Sequence, residues 1–179
     1  MVVEKKMKDN FNKAFELMIA HEGGFVNHPA DPGGMTNLGV TAKAWAEYTG
    51  KLLSNITEAE MRALTVATVQ PFYKRRYWDA CKCDLLPSGV DLSVFDFAVN
   101  SGPKRAILVL QHCLAINADG LIGPETLKYS KLADARELVS EYNTARLDFL
   151  QNLRTFNTFG RGWTRRVKKT LSASLELVQ

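Results

Sequence analysis

The sequence has little cysteine: Cys81, Cys83 and Cys113 are three residues in 179, an odd set with no repeated spacing. That argues against a secreted disulfide framework and makes reduced thiols in a chain made in the cytosol the default. No apolar run approaches the roughly 18 residues of a membrane helix. The opening Met1–Asn10 places charges where a signal peptide needs an apolar stretch. A soluble chain with no integral membrane segment and no export signal is expected. Repeats, low-complexity tracts and alternating strand patterns are also missing, which leaves a mostly helical fold. Metal motifs fail one by one. Cys81-x-Cys83 with His28, His112 or Cys113 has no zinc-knuckle spacing, and His21-Glu22 lacks the second histidine of a metalloprotease helix. The stretch through Asn117-Ala-Asp-Gly120 lacks the carboxylates that close a calcium loop. No metal and no cofactor is expected, and no serine or cysteine triad can be read.

What is present is ordinary globular composition, 46% hydrophobic and 23% charged. A chain of this length buries roughly 70% of its unfolded surface and needs no covalent staple. The formal charge of +4 favours an anionic partner without choosing among nucleic acid, anionic lipid and cell-wall polymer. Phe11, Phe15, Met18 and Ile19 recur at helical spacing, so a helix is expected over residues 9–22, ended by Gly23-Gly24. Residues 23–41 are rich in glycine and proline and read as an elaborate loop with at most a short β excursion. Thr41 can cap a short helix, and Thr57-Glu-Ala-Glu60 has capping-box form for a helix to about Gln70. Val90–Val99 reads as a buried helix. Further helices are expected from Ala106, from Pro124, along Leu138–Leu153, and in a basic terminal stretch from about Trp163 to Val178.

The chemistry-bearing candidates are carboxylates. Glu22 falls three and four residues after Ile19 and Met18, so helical periodicity turns its carboxyl towards the core. Partial burial there would favour the protonated form that a general acid requires; a solvated carboxylate at a fraying helix end is the other possibility. Asp31 opens the Asp31-Pro-Gly-Gly34 turn, and Thr36 follows five residues later. One protonated and one ionised carboxyl across a groove are the equipment of glycoside hydrolysis, although Asp-Pro-Gly is equally an ordinary turn.

These residues carry a resemblance. His21-Glu-Gly-Gly-Phe25 and Asn27-His-Pro-Ala-Asp-Pro-Gly-Gly-Met-Thr-Asn-Leu-Gly-Val-Thr41 resemble the opening motif of glycoside hydrolase family 108, phage and bacterial N-acetylmuramidases of the lysozyme-like group. Phe72-Tyr-Lys-Arg-Arg-Tyr-Trp-Asp79 and Phe95-Asp-Phe-Ala-Val-Asn-Ser-Gly102 continue it. Ala118-Asp-Gly-Leu-Ile-Gly-Pro-Glu-Thr-Leu127 is similar to the helical peptidoglycan-binding half paired with that catalytic half. The resemblance implies a mostly α, lysozyme-like fold with a catalytic half over residues 1–90 and a peptidoglycan-binding half over 91–179, expected as one compact unit. It implies Glu22 as the acid, with Asp31 and Thr36 positioning the attacking water in an inverting reaction. The Asp31 to Thr36 spacing is one residue shorter than in the best-known phage lysozymes. Phe25 stands where relatives more often have tyrosine.

Tyr73, Tyr77 and Trp78 could pack pyranose faces, with core packing the alternative, and Asn100 either lines the cleft by resemblance or caps a helix. Arg161, Arg165, Arg166, Lys168 and Lys169 form an acid-free basic run that suits phosphate or carboxylate polymers or simply faces solvent. The expected function is an endolysin-like, bacteriolytic muramidase cleaving the β-1,4 bond between N-acetylmuramic acid and N-acetylglucosamine. A lytic transglycosylase, a non-catalytic wall-binding or secretion accessory protein, and a nucleic-acid binder are the alternatives. Peptidoglycan is the expected partner, nucleic acid is not, and a monomer is expected. Synthesis in the bacterial cytoplasm with release through a holin-like pore or specialised secretion follows from the missing export signal.

Overall fold

The computed structural model describes residues 2–27 and 34–178. The chain is predominantly helical, with one two-stranded antiparallel sheet among the described residues. By internal contacts it divides into two units, residues 15–74 and residues 1–14 with 75–179. This is a different partition from the halves 1–90 and 91–179.

Helix α1 spans Val2–Ile19 and buries Phe11, Ala14, Phe15 and Met18 along the expected stripe. It stops three residues short of Glu22. The backbone leaves it through a turn in which the His21 and Glu22 N–H groups donate to the Met18 and Ile19 carbonyls, at 3.0 and 3.1 Å. The 9–22 expectation therefore placed the helix end too late, because the two glycines offer nothing to hold the last turn.

In the unit of residues 15–74, β1 (Thr36–Asn37) pairs with β2 (Val40–Thr41) through a Leu38-Gly39 turn. Val26 adds a bridge to Thr36, with both N–H···O bonds at 2.8 Å. Asn37 is buried and donates from Nδ2 to the Met61 carbonyl at 2.8 Å, which fixes the hairpin's inner face. Thr41 caps α2 (Ala42–Thr49) by accepting from the Ala44 N–H. Where one helix was expected from Thr57 to Gln70 there are two. Thr57 caps α3 (Glu58–Arg62), and Thr65 caps α4 (Val66–Tyr73) in a reciprocal box with Thr68. Pro71 lies inside α4 rather than ending it, and a π-helical segment, Lys74–Asp79, follows directly. Proline withdraws one backbone donor from the helical ladder, the kind of mismatch that local rewinding can absorb.

In the other unit, α5 (Val90–Ser101) is buried on every side along Val90–Ala98, as its near-continuous apolar sequence predicts. It is followed by α6 (Pro103–Cys113), α7 (Pro124–Leu132), α8 (Ala135–Gln151) and α9 (Phe156–Leu177), of which α6, α8 and α9 pack on α5 and α7 packs on α8. Phe95 and Phe97 are fully buried, each contributing roughly 1.5–3 kcal/mol of apolar transfer. Helix α9 begins seven residues before the expected Trp163.

Two acids interrupt α5. Asp91 accepts from the Gly89 and Leu92 N–H groups at 2.8 and 2.7 Å and from Asn10 Nδ2 at 2.8 Å. Burial nevertheless pushes its pKa up to about 6, because three hydrogen bonds replace only part of the lost hydration. Asp96 accepts from Arg146 on α8 at 2.7 Å, from Arg166 on α9 at 2.9 and 3.0 Å, and from the Thr170 hydroxyl at 3.0 Å. Burial alone would raise the Asp96 carboxyl. The Arg146 and Arg166 charges outweigh it and hold the group well below the usual carboxylate range. Arg146 is fully buried, its guanidinium 5.1 Å from the Phe97 ring centroid.

Candidate active site

Glu22 sits half-buried on irregular backbone after α1, and the hairpin turn holds its surroundings. Leu38 is gripped at both ends: its N–H donates to the Gly23 carbonyl at 3.0 Å, and its carbonyl accepts from the Tyr73 hydroxyl at 2.8 Å. Both turn residues are left-handed, Leu38 at φ 50° and Gly39 at φ 74°. Gly39 is required twice over. A Cβ there would lie 2.5 Å from Glu22 Oε2 and 2.5 Å from the Tyr73 hydroxyl. A carboxyl oxygen and a phenol thus converge on one patch of bare backbone. The carboxyl cannot swing towards the hairpin, and Tyr73, 1% exposed, anchors the turn from beneath. On the rim, Phe25 packs under the Arg62 guanidinium at 3.9 Å, and Arg62 pairs with Glu58 at 2.8 Å. That packing of Phe25 needs no ring hydroxyl.

A half-buried carboxyl packed against a tight turn is suited to delivering a proton to a bound oxygen. Comparison with known proteins identifies the setting. Residues 15–102 match the profile of the family described as Glycosyl hydrolase 108, and residues 105–168 match the one described as Predicted Peptidoglycan domain. The solved structure titled "Structure of Brucella abortus SagA" is 40% identical, with a TM-score of 0.85 over 96% of this chain and 97% of that chain. The chain belongs to the glycosyl hydrolase 108 family. No curated protein matches it. The family hydrolase profile and the peptidoglycan profile together make this glycosyl hydrolase 108 protein a peptidoglycan hydrolase with a predominantly helical, lysozyme-like fold.

Within this glycosyl hydrolase 108 chain the expected site residues part company. Thr36 is half-buried at the start of β1, paired with Val26 and Thr41. Asp31 lies outside the described residues. Tyr73 is beside Glu22, but its ring is in the core, packed 5.8 Å from Phe15 and 5.2 Å from Phe72. The buried ring offers no face to a sugar, and its hydroxyl holds the Leu38 carbonyl. Trp78 is likewise corrected. It is fully buried between Phe11 and Phe95, at 5.3 and 5.5 Å, and its Nε1 donates to Asp84 at 2.8 Å. Tyr77 is half-buried on the π segment. Asn100 is inside α5 rather than capping it, and its Oδ1 is a buried acceptor without a partner among the described residues. Tyr77, Trp78 and Asn100 belong to the other unit. Arg166 leaves the expected basic surface for Asp96.

Sequence reasoning missed Leu38 and Gly39. The available signal was a two-residue turn ending in glycine between Thr36-Asn37 and Val40-Thr41, the pattern of a tight hairpin with positive φ at both central positions.

Proposed function

We propose that the protein is an N-acetylmuramidase that hydrolyses the β-1,4 bond between N-acetylmuramic acid and N-acetylglucosamine with inversion. Glu22 is the general acid: it protonates the glycosidic oxygen as the bond to the anomeric carbon breaks. Asp31 takes a proton from a water attacking the opposite face, and Thr36 holds that water. Inversion requires the two carboxyls roughly 6.5–9.5 Å apart. Tyr77 and Asn100 are candidates for sugar contacts, Asn100 through its side-chain amide. The observation that carries the reading is the fixed, half-buried Glu22 carboxyl packed against Gly39. A chain made in the cytoplasm would meet this substrate after release through a pore or a specialised secretion route, where lysis would follow.

Mass spectrometry of fragments released from purified sacculi tests the proposal, with Glu22→Gln as control. Muropeptides with reducing muramic acid ends, lost in the variant, are expected. Anhydro-muramyl ends would make the protein a transglycosylase and remove Asp31 from the mechanism. Release of no fragments by the wild-type protein would refute the muramidase reading.

A further inference from the structure

The last helix is strongly basic, with Glu176 near its end as its one acid. Between residues 149 and 175 the sequence holds Arg154, Arg161, Arg165, Arg166, Lys168 and Lys169 and not one acid. These six cations exceed the whole chain's surplus of four, so the remainder of the molecule is on balance acidic.

The structure sorts these cations by face. Arg166, Thr170 and Ser174, four residues apart, turn inward: the first two bond Asp96, and Ser174 shares a 2.8 Å hydrogen bond with Ser93. At Gly89, where a Cβ would lie 2.5 Å from the Ser174 carbonyl, the α9 backbone comes too close for any side chain. Helix α9 is therefore fixed in rotation. The opposite side must present Arg161, Arg165, Lys168 and Lys169, all exposed and spanning roughly 12 Å of helix. Here they rim a surface groove of about 670 Å³, with Phe156 and Gly160 at one end. A Cβ on Gly160 would meet the Phe156 ring at 2.7 Å, so the glycine lets that ring lie flat on the helix. The groove's walls are largely apolar: an aromatic ring and the methylene stems of the basic side chains.

Cationic tips above apolar walls match an amphiphile better than a polyanion, which has no hydrocarbon to bury. We propose that this face of α9 docks the protein on an anionic phospholipid surface, with phosphates meeting the four cations and an acyl segment entering the groove. No helix among the described residues is long and apolar enough to cross a membrane, so the contact is interfacial.

The test is co-sedimentation of the full-length protein with vesicles of phosphatidylglycerol mixed into phosphatidylcholine and with phosphatidylcholine alone. A variant carrying Arg161→Gln, Arg165→Gln, Lys168→Gln and Lys169→Gln is run in parallel, its melting temperature checked against wild type. Binding to the anionic vesicles alone, weakened roughly fivefold for each cation removed, is the expected result. Equal binding to both vesicles, or unchanged binding by the variant, would overturn the proposal. So would full displacement by a water-soluble polyphosphate at the charge concentration of the lipid, which would assign the face to polyanions instead.

Discussion

Replacing Gly39 with alanine should cut activity about 100-fold while leaving most of the stability. The backbone term is small: a non-glycine residue at φ 74° costs roughly 1–2 kcal/mol. The added methyl would lie 2.5 Å from both Glu22 Oε2 and the Tyr73 hydroxyl, well inside van der Waals contact, so something must move. Both obstacles are side-chain ends rather than backbone, and their retreat is cheap for the fold. The Glu22 carboxyl is the one that must not retreat. A displacement of about 1 Å at the acid is enough to cost on the order of 100-fold in rate. Reducing-end release from sacculi should fall by about that factor, while urea unfolding shows a loss of about 1–2 kcal/mol. In a Tyr73→Phe background the phenol oxygen is gone and the methyl has space on that side, so Gly39→Ala should cost less there than in wild type. Activity within threefold of wild type for a folded Gly39→Ala protein would refute the close packing of acid and turn.

Tyr73→Phe alone leaves the Leu38 carbonyl without its donor. A loss of about 1–3 kcal/mol and a fall in kcat with little change in KM are expected from unfolding and steady-state assays. Asp96→Ala leaves Arg146 buried and unpaired and should destabilise by about 3–5 kcal/mol in urea. Because the Asp96 carboxyl is held below its ordinary range, its contribution is complete above roughly pH 4 and declines as the pH falls further. Asp91 has the opposite sign. Its folded pKa of about 6 lies above the unfolded value of 3.8, so its contribution is complete below the lower value and is lost as the pH rises through that window. Asp91→Asn should therefore gain up to about 3 kcal/mol relative to wild type between pH 4 and pH 7, as read by urea titrations at the two pH values.

Local signals in the sequence carried much of this architecture. Thr41 and Thr57 cap helices as their spacing predicts, and the apolar run from Val90 is the most buried helix. Glu22 was visible as a candidate, but its position after the helix depends on tertiary contacts to Leu38 and Gly39 that no local pattern encodes. Tyr73 and Trp78 show the same limit from another side. An aromatic residue states that it will bury a ring, not whether the ring faces a ligand or the core. Asp96 and Arg166 are 70 residues apart, each unremarkable in its own window. Only packing turns the acid from an interruption of α5, and the arginine from a surface charge, into one buried pair.

The Glu22 setting rests on a hairpin whose strands are two residues each, too short to be stable by themselves. Enzyme competence is then a local equilibrium within the folded protein. When the Leu38 N–H leaves the Gly23 carbonyl, the turn and the acid's enclosure open together, though α5 and its surrounding helices stay intact. Hydrogen exchange at that single amide thus reports the fraction of closed molecules. On warming, turnover should decline with that fraction, several degrees before the helices melt.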